Sequence, residues 1–170
     1  MTARRARPPR RDQVALAGAG LLLGAIWIGV TIYSSAGHLS AALDDTFIHL
    51  QYARQIAAGH FFAYNTADGY SSGATSFLYA LLLAAVACLG LDGDALLWAA
   101  QLLNAGFFAA SAVLVYRLTW RWAGRRGGLV AGLLFLLNGG ILWGYGTGME
   151  IGLFGLLLLA GLSVVAGGEG

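Results

Sequence analysis

Residues 14–33 form an unbroken stretch of twenty positions without one charged side chain. A helix of that length spans about 30 Å at 1.5 Å per residue, which is the thickness of a bilayer's hydrocarbon core. Lipid offers no water to satisfy a bare peptide group, so a segment that crosses there must close its hydrogen bonds within itself, as a helix does. Further apolar segments follow at 74–91, 95–116, 128–143 and 151–166, separated by short polar or glycine-rich joints. Only 11% of the residues are charged, against roughly 25% in a soluble domain. So few charges cannot cover a globular surface. An Arg-rich start before an apolar run also suits a signal peptide, with Ser34, Ser35 and Ala36 as small residues for cleavage. A signal peptide's apolar region is shorter, at roughly 7–15 residues, so an uncleaved anchor is expected.

Charge placement decides the number of crossings. Every basic residue is arginine, gathered at Arg4, Arg5, Arg7, Arg10 and Arg11 and again at Arg117, Arg121, Arg125 and Arg126, with Arg54 apart. Short loops rich in arginine stay on the cytoplasmic side. Five crossings would put the second cluster outside. Four crossings, with 74–91 lying in the interface, keep both clusters inside.

The sequence thus predicts an all-α fold, a polytopic transmembrane helix bundle with juxtamembrane amphipathic helices in its first outer loop. The expected order is a cytoplasmic Arg-rich tail at 1–13, a transmembrane helix at 14–33, and an outer loop at 34–94 with helices near 45–58 and 74–91. A transmembrane helix at 95–116, a cytoplasmic loop at 117–127, a transmembrane helix at 128–143, an outer loop at 144–150 and a transmembrane helix at 151–166 complete it. The expected location is the cell (inner or plasma) membrane, multi-pass, with the N-terminus cytoplasmic. Arginine clusters flanking apolar runs read as anchors among membrane lipid, and nucleic acid is excluded as a partner. Cys88 stands alone, so the chain holds neither a disulfide nor a cysteine metal site. Gly20-xxx-Gly24 and Gly128-xxx-Gly132 have the spacing that lets membrane helices approach closely.

This topology gathers Asp44, Asp45, Asp68, Asp92, Asp94 and Glu150 on the outer side, leaving Asp12 and Glu169 as exceptions. From Asp45 to Gly59 the pattern is amphipathic, with Gln51, Arg54 and Gln55 in one polar stripe and Ile48, Leu50, Tyr52, Ala53, Ile56 and Ala57 on the wide face. Asp45 is placed to cap this helix and Gly59 to end it. Capping by Asp44 or Asp45 is the bland role, and the alternative is a general base or a cation site. Glu150, in a glycine-rich turn between apolar segments, either caps the next helix or serves function. His49 is expected as a hydrogen-bonded structural residue, and His38 and His60 lack metal-ligand spacing to it. The aromatic, turn-rich stretch at 61–73, which includes Tyr70, suits an interfacial belt or a lip that stacks on sugars.

The run Asp44-Asp45-Thr46-Phe47-Ile48-His49-Leu50-Gln51-Tyr52-Ala53-Arg54 through Gly59-His60-x-Phe62-x-Tyr64-Asn65, then Gly69-Tyr70-Ser71-Ser72, resembles the first outer loop of GT-C membrane glycosyltransferases. It is most similar to their arabinofuranosyltransferase and mannosyltransferase-like branch. Gly146-Thr147-Gly148-Met149-Glu150-Ile151-Gly152-Leu153-Phe154 resembles a segment in the second outer loop of the same branch. The likeness covers roughly residues 15–166, the N-terminal third or so of such enzymes, so a fragment is expected. It implies a hexosyl or pentosyl glycosyltransferase moving a sugar from a polyprenyl-phosphate donor to a cell-envelope glycan, lipid or protein hydroxyl on the outer face. It assigns the catalytic role to Asp44 first and Asp45 next, and substrate binding to Arg54, Tyr70 and Glu150. A divalent cation on Asp44, Asp45 or Glu150 is the other candidate to offset the leaving phosphate. The rival reading is a non-catalytic polytopic protein, a transporter segment or assembly partner. Transport favours ionisable groups at mid-membrane, whereas these carboxylates lie at segment ends.

A cysteine at position 124, as the chain's single cysteine, should resist an impermeant thiol reagent applied to intact cells, and a tag after Asp94 should be reached from outside. Labelling at 124 or a protected tag would refute the four-crossing arrangement.

Overall fold

The computed structural model describes residues 8–67 and 69–168, and among these the chain is helix and turn with no strand. Arg4, Arg5, Arg7, Asp68 and Glu169 lie outside the described residues. The elements are α1 (Arg10–Ser34), α2 (Asp45–Ala57), α3 (Phe77–Ala87), α4 (Asp94–Leu137), α5 (Gly139–Gly146) and α6 (Ile151–Gly168). α1 and α4 are long and apolar enough to cross a membrane, and α5 with α6 makes a third span if that pair, bent by 117°, counts as one. The protein is a membrane protein, and the outward side chains of α1, α4 and α6, among them Leu22, Leu134 and Phe154, are left to lipid.

The 44 residues of α4 would reach about 66 Å if straight, twice the hydrocarbon core. They fold back instead. Gly124 takes φ 65 and ψ −166, a left-handed conformation that glycine adopts without a Cβ clash. The part beyond it runs back along the part before it: Gly128 packs on Tyr116, Gly132 faces the Ala112 carbonyl, and Phe135 stacks on Phe108 with ring centroids 5.5 Å apart. The expected loop at 117–127 is therefore helical on both sides of a one-residue reversal.

A second difference lies at Asn138, where the expected helix at 128–143 is broken. Asn138 is extended, with ψ 108, and its side chain accepts a bond from the Ile141 N–H at 3.0 Å, capping α5. An amide side chain that supplies the missing acceptor makes such a break inexpensive. The helix expected at 74–91 also forms only over Phe77–Ala87, about 16 Å and too short to cross. It lies against α2, and both rest on the first turns of α4 through Leu50, Ala53, Tyr79, Leu83, Leu96 and Ala100.

α1 runs antiparallel to the first half of α4 at backbone contact. A Cβ on Gly20 would sit 2.8 Å from Ala109 Cα, and one on Gly24 would sit 2.7 Å from Ala105 Cβ. This pairing carries Asp12 to the reversal. Arg125 grips it with two bonds, Nε to Oδ2 at 2.7 Å and Nη2 to Oδ1 at 2.9 Å, and the Tyr116 hydroxyl donates to Oδ2 at 3.0 Å. At the other end of α1, Trp27 Nε1 donates to the Gly146 carbonyl at 2.8 Å. The bundle therefore has one end built from Arg10, Arg11 and the reversal, and an opposite end built from α2, α3, the start of α4 and the 147–150 turn.

Gly20→Leu should lower stability by about 1–3 kcal/mol, since α1 and α4 must part to admit the side chain. Gly18→Ala, where a Cβ meets nothing within 4 Å, should leave stability unchanged or raise it by up to about 1 kcal/mol. Thermal unfolding in one detergent compares them; equal melting temperatures would mean the seam does not hold α1.

Candidate functional site

The start of α2 sets the site. Asp44 precedes the helix with φ −64 and ψ −31, already helical values, and makes no side-chain capping bond. A capping side chain reaches its N–H targets from an extended backbone, so this geometry denies the role, and Asp45 is the first helical residue rather than the expected cap. Backbone carbonyls take over: Thr46 N–H donates to Leu43 at 3.3 Å and Phe47 N–H to Asp44 at 2.9 Å. Both carboxylates are exposed.

The next turn faces inward. Thr46 and His49, three positions apart, share the buried face of α2. Thr46 Oγ1 donates to the Thr147 carbonyl at 2.8 Å across 101 residues of sequence. That bond sets the acidic start of α2 beside the turn that carries Glu150. His49, 2% exposed, brings Nε2 to 2.8 Å from Glu150 Oε2. Thr75 Oγ1 donates to Glu150 Oε1 at 2.7 Å and lies 3.2 Å from His49 Nε2. Glu150 therefore does not stand as a lone charge; it fastens α2 and the entry to α3 onto the turn before α6.

Beneath it runs a buried polar chain. Tyr79 donates its hydroxyl to the Gly148 carbonyl at 2.7 Å and accepts from Asn104 Nδ2 at 2.9 Å, with its ring edge-on to His49. Burial, and secondarily the charge of Glu150, raises the Tyr79 hydroxyl well above its ordinary range, so it remains a donor at physiological pH. Gly148 has φ +80, and a Cβ there would press on Gln101 Nε2 at 3.1 Å and Thr46 Cγ2 at 3.2 Å. The positive φ favours glycine there, and the tight contacts add to that preference.

The other expected site residues lie elsewhere. Arg54 is gripped by Asp92, Nε to Oδ1 at 2.7 Å and Nη2 to Oδ2 at 3.1 Å, and it sits about 140° around α2 from His49. Tyr70, 77% exposed, borders a separate cleft of about 80 Å³ with Tyr52, Ile56, Phe62, Ser71 and Phe77. There Phe62 stacks on Phe77 with centroids 5.0 Å apart, and the Tyr52 hydroxyl meets Ser71 Oγ at 2.6 Å. Among the described residues, no three His, Cys, Asp or Glu side chains converge as a metal set, so Asp44, Asp45 and Glu150 are not gathered around one point.

Sequence reasoning missed Thr46, Thr75, Tyr79, Gln101 and Asn104 and gave His49 a passive part. The available signal was polar residues at helical spacing inside apolar faces, Thr46 with His49 and Gln101 with Asn104. Comparison with protein-family models, with curated proteins and with solved structures finds no match to the chain.

Tyr79→Phe removes the bonds to Gly148 and Asn104 and should cost about 1–3 kcal/mol. Amides of the 147–150 turn should then exchange with deuterium faster than in the parent. Unchanged melting and exchange would show that the polar chain does not secure the turn.

Proposed function

We propose that the chain carries the outer-face site of a GT-C-type membrane glycosyltransferase, which transfers a hexosyl or pentosyl group from a polyprenyl phosphate to a hydroxyl of an envelope glycan, lipid or protein. The observation that carries this reading is the acidic pair. Asp44 and Asp45 open α2 without capping it, stay exposed, and lie beside the Glu150 turn through the Thr46 to Thr147 bond. Their side chains are thus free to meet a ligand at this edge of the bundle without loosening the helix.

An acceptor hydroxyl attacks the anomeric carbon only as its proton is removed, so a carboxylate must lie within hydrogen-bond reach. Asp44 takes that proton in this reading, with Asp45 next to it. Glu150, its carboxylate fixed by Thr75 and His49, orients the acceptor. The exposed ring of Tyr70 offers a face for a sugar. The departing phosphate needs positive charge, and Arg54, about 15 Å along α2 from Asp44 and bound to Asp92, reaches it only if the lipid phosphate extends along the helix. A divalent cation would draw on Asp44, Asp45 or Glu150, which do not converge among the described residues. By the charge rule the arginine end faces the cytoplasm of the cell membrane and the carboxylate end faces outward.

In membranes holding equal amounts of each variant, Asp44→Asn should reduce transfer of labelled sugar from polyprenyl phosphate by roughly 10²–10⁴-fold. Glu150→Gln should slow it less. Full activity in both Asp44→Asn and Asp45→Asn would make the pair structural and remove the basis for this assignment.

A further inference from the structure

The end of the bundle opposite the carboxylates holds more positive charge than the protein itself neutralises. Asp12 is the one carboxylate there among the described residues. Both of its oxygens are taken by Arg125, with Tyr116 adding a bond to one, while Arg11 reaches it only at 3.8 Å. Arg10, Arg117, Arg121 and Arg126 make no hydrogen bond or ion pair with any described residue. Arg10, Arg117 and Arg126 are exposed and Arg121 half-buried.

The arrangement is more specific than a diffuse surface charge. Arg117 and Arg121 are one helical turn apart, which places their Cβ atoms about 5–6 Å from each other on one face. Two planar guanidinium forks so spaced can close on one tetrahedral phosphate from two sides, as guanidinium groups do with phosphate oxygens. Trp122 follows directly and is 82% exposed, an indole at the edge of the apolar span where headgroups begin. Past Gly124 the returning half of α4 carries Arg126 on the same end of the bundle as Arg10 at the start of α1. A free aqueous anion would have no use for the indole or for the apolar flank below these arginines.

We infer that the end of α4 before its reversal, where Arg117 and Arg121 share one face and the exposed Trp122 follows, is a binding site for the phosphate headgroup of an anionic phospholipid. The lipid's phosphate is received by the guanidinium groups, its glycerol backbone lies against Trp122, and its acyl chains continue along the apolar surface of α4. This site is independent of the sugar-transfer reading and stands at the other end of the bundle.

The test uses the full chain in nanodiscs of phosphatidylcholine doped with phosphatidylglycerol, with lipid retention read by native mass spectrometry and by melting temperature. The expected result is preferential retention of phosphatidylglycerol and a higher melting temperature than in phosphatidylcholine alone. A basic side chain near an anionic lipid surface is worth about fivefold in binding, so Arg117→Gln with Arg121→Gln should weaken retention roughly 25-fold. Arg117→Lys with Arg121→Lys keeps the charge and loses the forks, and should fall between. Trp122→Ala should reduce retention while leaving the arginines in place. Equal retention of both lipids, or a double Gln variant that retains phosphatidylglycerol as the parent does, would overturn the site. So would displacement of the lipid by millimolar inorganic phosphate, which would show a free-anion site instead. The Gln variants must keep the parent's melting temperature in pure phosphatidylcholine; if they do not, the Lys pair and Trp122→Ala decide.

Discussion

Backbone contact between α1 and α4 is the constraint from which the rest of the molecule follows. A membrane bundle gains little from hiding apolar groups, because lipid is as apolar as its core, so close packing must hold the helices together. Gly20 and Gly24 remove the side chains that would keep α1 off Ala109 and Ala105. With that register fixed, Asp12 meets Arg125 at one end and Trp27 meets the Gly146 carbonyl at the other. Gly128 and Gly132 repeat the device on the returning half of α4, against Tyr116 and against Leu16 and Ala112. Two glycine pairs thus align three segments and leave most of the arginines at one end, with Asp12 among them, and most of the carboxylates at the other, with Arg54 among them.

The second dependence concerns peptide groups at the carboxylate end. The last carbonyls of a helix have no partner within it, and the turn after α5 leaves those of Thr147 and Gly148 in this position. Side chains from other elements supply the donors: Thr46 to Thr147 and Tyr79 to Gly148. These bonds satisfy buried backbone that would otherwise be costly, and they also draw α2 and α3 over the turn. Where α2 lies relative to Glu150 is therefore settled by backbone hydrogen bonding, and the His49 and Thr75 contacts to Glu150 follow from it.

Local patterns in the sequence foretold local structure. The amphipathic stripe placed α2 within a residue of Asp45–Ala57, because side-chain periodicity is a property of a dozen consecutive residues. The glycine pairs pointed to close approach for the same reason, since small residues four apart mark a helix face. Reversal at Gly124 and the break at Asn138 were not legible: each rests on one residue's backbone angles within runs that look continuously helical. The partners of Glu150 were hidden more deeply. His49, Thr75 and Glu150 come together over separations that no periodicity spans, and His49 looked like one more inward position on an apolar face.

Glu150 and the acidic pair are both carboxylates at the same end, yet the structure gives them opposite employment. Glu150 accepts a bond from Thr75 through Oε1 and brings Oε2 to 2.8 Å from His49 Nε2, so its carboxylate helps hold α2 and the entry to α3 in place. Asp44 and Asp45 have no such engagement, because a helical backbone at Asp44 and the carbonyls of Leu43 and Asp44 complete the first turn without them. Both exposed charges lie at the positive end of the α2 dipole, which favours negative charge there. The carboxylates of this end therefore divide by employment: Glu150 is tied into the packing of α2 and α3, whereas Asp44 and Asp45 stay in solvent, where a change at either leaves that packing untouched.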